Sequence, residues 1–220
     1  MEFTKYDFFK SRKELLEEAK EGLKGNTKSA NFINFVFWIS KLIFFAGIGL
    51  LIGFLVTLQS QNNVLLILSL IFLVVALFTY GPLKISVARN ALNMVEDTQP
   101  SIKDLGYGFK HKYFRSVGYG LVLFIRYLFF LILLVFPFIL KYLDYFVSAF
   151  ILAKDDSISV GQALRHSTLI SKGRKKTLLK IIFGFFPQYL LCIITLYIYS
   201  YKLRPLFNAT MYAYYRDINE

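Results

Sequence analysis

Cysteine is almost missing. Cys192 is the only one in 220 residues, so no disulfide can form within the chain and no multi-cysteine metal site can be built. Histidine is nearly as scarce: His111 and His166 lie in different loops, with no second ligand type at metal spacing. No phosphate-binding glycine loop, Gly-x-Ser-x-Gly elbow, His-Glu-x-x-His pair or dinucleotide fingerprint occurs. The neighbouring acids Glu96-Asp97 and Asp155-Asp156 point apart on a helix and are not built for acid–base work. The sequence therefore offers no catalytic constellation, metal set or cofactor motif, and the expectation is a protein that is not an enzyme. Acid is short as well: 14 Asp and Glu against 26 Lys and Arg leave a net charge of +12.

What the chain has is apolar runs. Hydrophobic residues make up 56%, above the ~45–50% of soluble domains. They concentrate in Ile33 to Leu58, Val64 to Tyr80, Val117 to Leu140 and Ile181 to Tyr199, with Tyr142 to Ala153 as a shorter candidate. A bilayer core needs about 20 helical residues. The fold expected is all-α: a polytopic helical membrane protein of five to six membrane segments with amphipathic cytoplasmic helices. The basic residues sit in the gaps between runs, which points to membrane orientation and away from nucleic acid.

Residues 1–32 read as an amphipathic N-terminal cytoplasmic helix, with Phe8, Leu15, Leu16, Ala19 and Leu23 on one stripe, ahead of a single helical membrane domain over 33–220. Six acids and seven bases precede any apolar run, unlike a cleavable signal. Lys plus Arg number seven before Ile33, none in Gln59 to Asn63, six in Lys84 to Ser116 and seven in Lys154 to Lys180. That alternation places the N-terminus and both large loops in the cytoplasm of a multi-pass cell-membrane protein. It also requires Phe138 to Ala153 to cross back, and it leaves Lys202 and Arg204 outside.

Local signals divide the runs. Gly81-Pro82 is expected to break or kink the second span, and Pro137 to end or bend the third. Ser101 with Asp104, and Asp155, Asp156 and Ser159, read as helix starts, and Gly173 as a stop. Pro187 is expected to kink a fifth span over Leu178 to Tyr201. The segment from Pro205 to Tyr215 reads as a closing helix too short to cross comfortably, and whether it crosses, dips back in to return the C-terminus to the cytoplasm, or lies on the membrane stays open. Gly49 and Gly53 form a weak GxxxG.

Four charges fall inside the runs: Lys41, Arg126, Lys141 and Asp144, with Gln188 as a weaker polar candidate. They form a candidate intramembrane polar cluster, since such charges line paths or pair within a bundle. If the chain turns at Pro137, Arg126 and Asp144 differ in depth by about 6 Å. The expectation is that they pair, while Lys141 snorkels outward. Lys172, Arg174, Lys175, Lys176 and Lys180 flank the membrane and are candidate anionic-lipid contacts, or merely set orientation.

The segments "SRKELLEEAKEGLKGN", "SIKDLGYGFKHKYFRS", "FPFILKYLDYFVSAFILAKDDSISVGQALRHSTLISKGRKKTLLKI" and "RPLFNATMYAYYRDI" resemble the bacterial integral membrane family catalogued as domain of unknown function 975. Phe109, Lys110, Tyr113, Phe114, Pro137, Tyr145, Asp155, Ala163, Ser167, Gly173 and Pro205 carry the resemblance. Phe138 and Leu206 depart from it, as does Asp144. It implies a polytopic bacterial membrane protein and supplies no catalytic residues. Two functions stay open. One is a non-enzymatic accessory or scaffold protein that partners the lipid bilayer and another membrane protein. The other is a transporter or lipid-handling protein for an anionic lipid or solute.

Overall fold

The computed structural model describes residues 10–56, 63–96, 98, 100–133, 135–194 and 200–219. Among them the protein is all-α, without strands. Helix α1 (Arg12–Leu23) begins with a capping box: Ser11 Oγ accepts from Glu14 N–H, and the Glu14 carboxylate accepts from Ser11 N–H. Gly25, at φ +83°, ends it in a conformation natural to glycine. Two long helices follow, α2 (Thr27–Val56) and α3 (Asn63–Val95). They run antiparallel, with Phe37 against Tyr80 at 5.8 Å and Ser40 facing Thr79 at 3.4 Å. The polar turn expected at Gln59 to Asn63 lies outside the described residues except for its last position.

Thr27–Leu55 and Asn63–Val95 are long and apolar enough to cross a membrane, and in each only 17% of the apolar window is buried. A soluble core helix of this composition would be covered. The two halves of α3 differ. Val64 to Phe78 turns Ile67, Ile71 and Val74 outward, whereas Gly81 to Val95 is almost wholly buried.

Of the break or kink expected at Gly81-Pro82, the break does not occur: α3 continues through Pro82. Pro82 has no N–H for the Phe78 carbonyl, and the Tyr113 hydroxyl donates to that carbonyl instead, at 3.4 Å. The glycine serves a close crossing: a Cβ on Gly81 would collide with the Ser116 carbonyl, and one on Gly120 would lie 3.0 Å from Gly81 Cα.

A 3-10 turn (Ile102–Gly106), started by the Ser101–Asp104 capping box, and the single turn α4 (Tyr107–Lys110) lead to α5 (Tyr113–Leu133). The return arm is α6 (Val135–Asp144) and α7 (Ser148–Lys154). It retraces α5. Arg126 lies over the Tyr145 ring at 5.0 Å, Tyr119 meets Ser148 at 2.9 Å, and Arg115 donates to the Asp155 carbonyl at 2.7 Å. Pro137 is not the bend. It is the third residue of α6, in a first turn where the missing N–H has no helical partner to lose.

Helix α8 (Val160–Ser171) starts at a Ser159–Gln162 capping box, and the chain turns at Gly173, φ +75°. The expected single kinked span is two helices, α9 (Lys175–Gly184) and α10 (Phe186–Ile194), divided at Phe185. Pro187 is second in α10, again in a first turn. Helix α11 (Ser200–Asn219) is longer than expected, at 20 residues. It returns beside α10, with Phe207 at 5.3 Å from Phe185 and 6.0 Å from Tyr189. It ends on α1 and α3: Arg216 binds the Glu18 carboxylate and, at 3.1 Å, the Val95 carbonyl. Leu15 and Ala19 of α1 share one buried cluster with Ala91, Met94, Leu152, Leu164 and Tyr212. Helix α1 thus belongs to the main body.

Candidate functional site

A cavity of about 300 Å³ lies where α2, α3, α5, α6, α10 and α11 converge. Its cations are Lys41, Lys84 and Arg204, joined by Tyr80, Tyr127, Tyr142, Tyr189 and Asn208. Helical spacing builds each wall. Phe37 and Lys41 are one turn apart on α2, as are Tyr80 and Lys84 on α3, and Arg204 and Asn208 on α11. Asn208 donates to Asn34 Oδ1 at 3.0 Å, fixing α11 against α2.

No Asp or Glu lines this cavity among the described residues. Lys41 Nζ lies 4.6 Å from the Phe37 ring centroid, and Lys84 Nζ lies 5.4 Å from Tyr119 and 5.9 Å from Tyr80. Neither lysine has a carboxylate within ion-pair distance among the described residues. A charge within a bilayer costs about 2.5–3.5 kcal/mol on insertion scales, and a desolvated cation–π contact returns about 2 kcal/mol. Ring contacts alone leave Lys41 and Lys84 short of compensation. An anion in the cavity would supply it, with tyrosine hydroxyls as further donors.

Of the four predicted intramembrane charges, only Lys41 reaches this cavity. Arg126 and Asp144 do not pair, because the helical turn before Tyr145 aims Asp144 at α9. Asp144 Oδ1 is 2.7 Å from Lys175 Nζ, and its Oδ2 is 3.6 Å from Lys141 Nζ. Lys141 therefore faces Asp144. The α6 end is pinned again by α8: Ser167 donates to the Asp144 carbonyl at 2.5 Å and Ser171 to the Leu143 carbonyl at 3.4 Å. These are carbonyls that a helix C-terminus leaves open.

The predicted lipid cluster divides. Lys175 holds Asp144, and Arg174 donates to the Ile218 carbonyl at 3.3 Å. Lys172, Lys176 and Lys180 are exposed. Asp155 and Asp156 are not a simple helix start. They follow the end of α7, where Arg115 and Lys112 donate to the Asp156 carbonyl and Tyr107 to Asp156 Oδ1 at 2.9 Å. Arg89 donates to the Ala153 carbonyl at 3.1 Å. Cations at a helix C-terminus complement its dipole.

Sequence reasoning missed Lys84 and Arg204. Both were counted as charges in polar gaps, Lys84 cytoplasmic and Arg204 outside. The available signal was the one-turn spacing from Tyr80 to Lys84 and from Arg204 to Asn208. Comparison of the chain with family models, curated proteins and solved structures finds no match.

Proposed function

We propose that this chain is a multi-pass bacterial membrane protein that holds an anionic ligand between its helices, at Lys41, Lys84 and Arg204. The observation that carries this reading is the convergence of three cations on one cavity lined by no acid among the described residues. It favours ligand handling over an accessory scaffold, which needs packing surfaces and no internal charge. The resemblance of its motifs to those of a bacterial integral membrane family accords with the placement in a membrane. This reading takes five segments, α2, α3, α5, the α6–α7 arm, and the shorter α10–α11 hairpin, which enters and returns; the length and apolar composition of α2 and α3 support it. The charge alternation sets the shared end of α1 and α11 in the cytoplasm. Lys172, Lys176 and Lys180 there face anionic headgroups, worth about 1 kcal/mol each.

The test is thermal unfolding of the purified protein in neutral detergent, at matched ionic strength, with chloride, inorganic phosphate or phosphatidylglycerol. Phosphate or phosphatidylglycerol should raise the Tm of the wild type and leave Lys84→Gln unmoved. No rise with either anion, or an equal rise in the variant, contradicts the proposal.

A further inference from the structure

The cation cavity has a neighbour. A second cavity, of about 400 Å³, lies between α2, α3 and α5 and shares Lys41, Tyr80 and Tyr127 with the first. Apart from those residues and Ser40, its lining is apolar. Ala76 and Leu123 form its buried floor, at 3% and 0% exposure, while Phe45 and Leu128 are exposed at 64% and 47%. Phe44 of α2 and Phe124 of α5 approach edge to face at 6.5 Å across it. The apolar chamber therefore runs from the outward, hydrocarbon-compatible surface of the helices to the lysine at the edge of the cation cluster.

Two cavities of opposite character that share three residues select a ligand of two parts. A small hydrophilic anion would satisfy the cations and leave the apolar chamber unused. A neutral lipid would fill the chamber and leave Lys41 and Lys84 without a counter-charge. Only an amphiphile with an anionic head satisfies both. Entry from the side of the helices keeps the tail in an apolar environment throughout, and each volume falls in the range of small-molecule sites, about 300–1,000 Å³.

We propose that the ligand is an anionic lipid bound as one molecule. Its phosphate sits among Lys41, Lys84 and Arg204, and an acyl chain lies between α2 and α5 and emerges past Phe45 and Leu128. This rests on the anion-binding reading above and adds to it the chemical class of the ligand and the route it takes. The site differs from the exposed Lys172, Lys176 and Lys180, which face headgroups without enclosing a chain.

Native mass spectrometry of the full chain, delipidated in neutral detergent, tests it, with phosphatidylglycerol, phosphatidylcholine and inorganic phosphate as probes. The wild type should retain one phosphatidylglycerol in preference to phosphatidylcholine. Leu128→Trp, which fills the mouth of the apolar chamber, should lower that occupancy about tenfold while phosphate still raises its Tm as in the wild type. Lys84→Gln should lose both responses, and Lys176→Gln/Lys180→Gln neither. Phosphatidylglycerol occupancy unchanged in Leu128→Trp overturns the acyl-chain assignment. Should that variant not fold, the wild type decides: phosphate stabilising without lipid retention overturns the amphiphile and leaves the anion site standing. No response to either probe removes both.

Discussion

Asp144 Oδ1 sits 2.7 Å from Lys175 Nζ, joining the end of α6 to the start of α9. The carboxylate is buried and its partner lysine is about one third exposed. The pair thus couples the return arm to the turn after Gly173. Asp144→Asn should destabilise the protein, because it leaves the half-buried Lys175 ammonium without its counter-charge. In a double-mutant cycle, Lys175→Gln should add little to it, whereas Arg126→Gln should add in full. Coupling to Arg126 and not to Lys175 would restore the pairing read from the sequence.

Tyr113→Phe removes the donor that replaces the missing Pro82 N–H. Chemical denaturation should show a loss of about 0.5–1.5 kcal/mol. Wild-type stability for Tyr113→Phe would mean that the Phe78 carbonyl is served in another way.

Gly120→Ala should destabilise by about 1–3 kcal/mol through overpacking, because its added Cβ meets Gly81 backbone atoms at 3.0 Å. Gly118→Ala, two residues away and with no atom within 4 Å of its Cβ, should be neutral or slightly stabilising. Equal effects at the two sites would refute the close crossing of α3 and α5.

Alkali should loosen the base of the bundle. Burial pushes the Tyr214 hydroxyl up from 10.0 to about 12. Burial and then its hydrogen bond to Asp156 raise Tyr107, and burial and then its bond to Glu96 raise Tyr212. A raised folded-state value means the neutral phenol stabilises fully below pH 10 and loses that contribution as pH climbs through the folded-state value. Stability should fall between about pH 10 and 12, with phenolate absorbance appearing alongside. At the acid end Asp155 works in the opposite sense. The Ser157 hydroxyl, then the Ser157 backbone N–H, hold its carboxyl below the usual range, so its contribution is present at neutral pH and is lost as pH falls through that lowered value. Tyrosines that ionise at pH 10 without loss of structure would contradict this account of the base.

A topology series tests the arrangement of the arms. Alkaline-phosphatase fusions should be active after Gln61 and inactive after Gly108, Gly173 and Asn219. Activity after Gly173 would show that the α6–α7 arm does not cross.

Much of the architecture is legible in the sequence because apolar runs and cap residues are local signals. Ser101 with Asp104, Ser159 and Gly173 act where they were read, and the return of Phe138 to Ala153 beside α5 follows from the charge count. Two prolines misled: Pro82 does not break α3, where its missing N–H is replaced, and Pro137 stands in a first turn where none is required, whereas the fifth run does divide beside its proline, at Phe185 two residues before Pro187. The site was harder to see. Lys84 and Arg204 stand at the ends of apolar runs, and only the packing of α3 and α11 against α2 brings them to one cavity. Asp144 was matched to Arg126 by depth, but depth says nothing of helix rotation, and rotation aims the carboxylate at Lys175.

The most direct measurement is a density map of the full chain in nanodiscs made with phosphatidylglycerol. The account predicts headgroup density within hydrogen-bond distance of at least two of Lys41 Nζ, Lys84 Nζ and the Arg204 guanidinium, with a tail leading out between α2 and α5. A cluster that stays empty, or that is filled by a carboxylate of the chain itself, would contradict it.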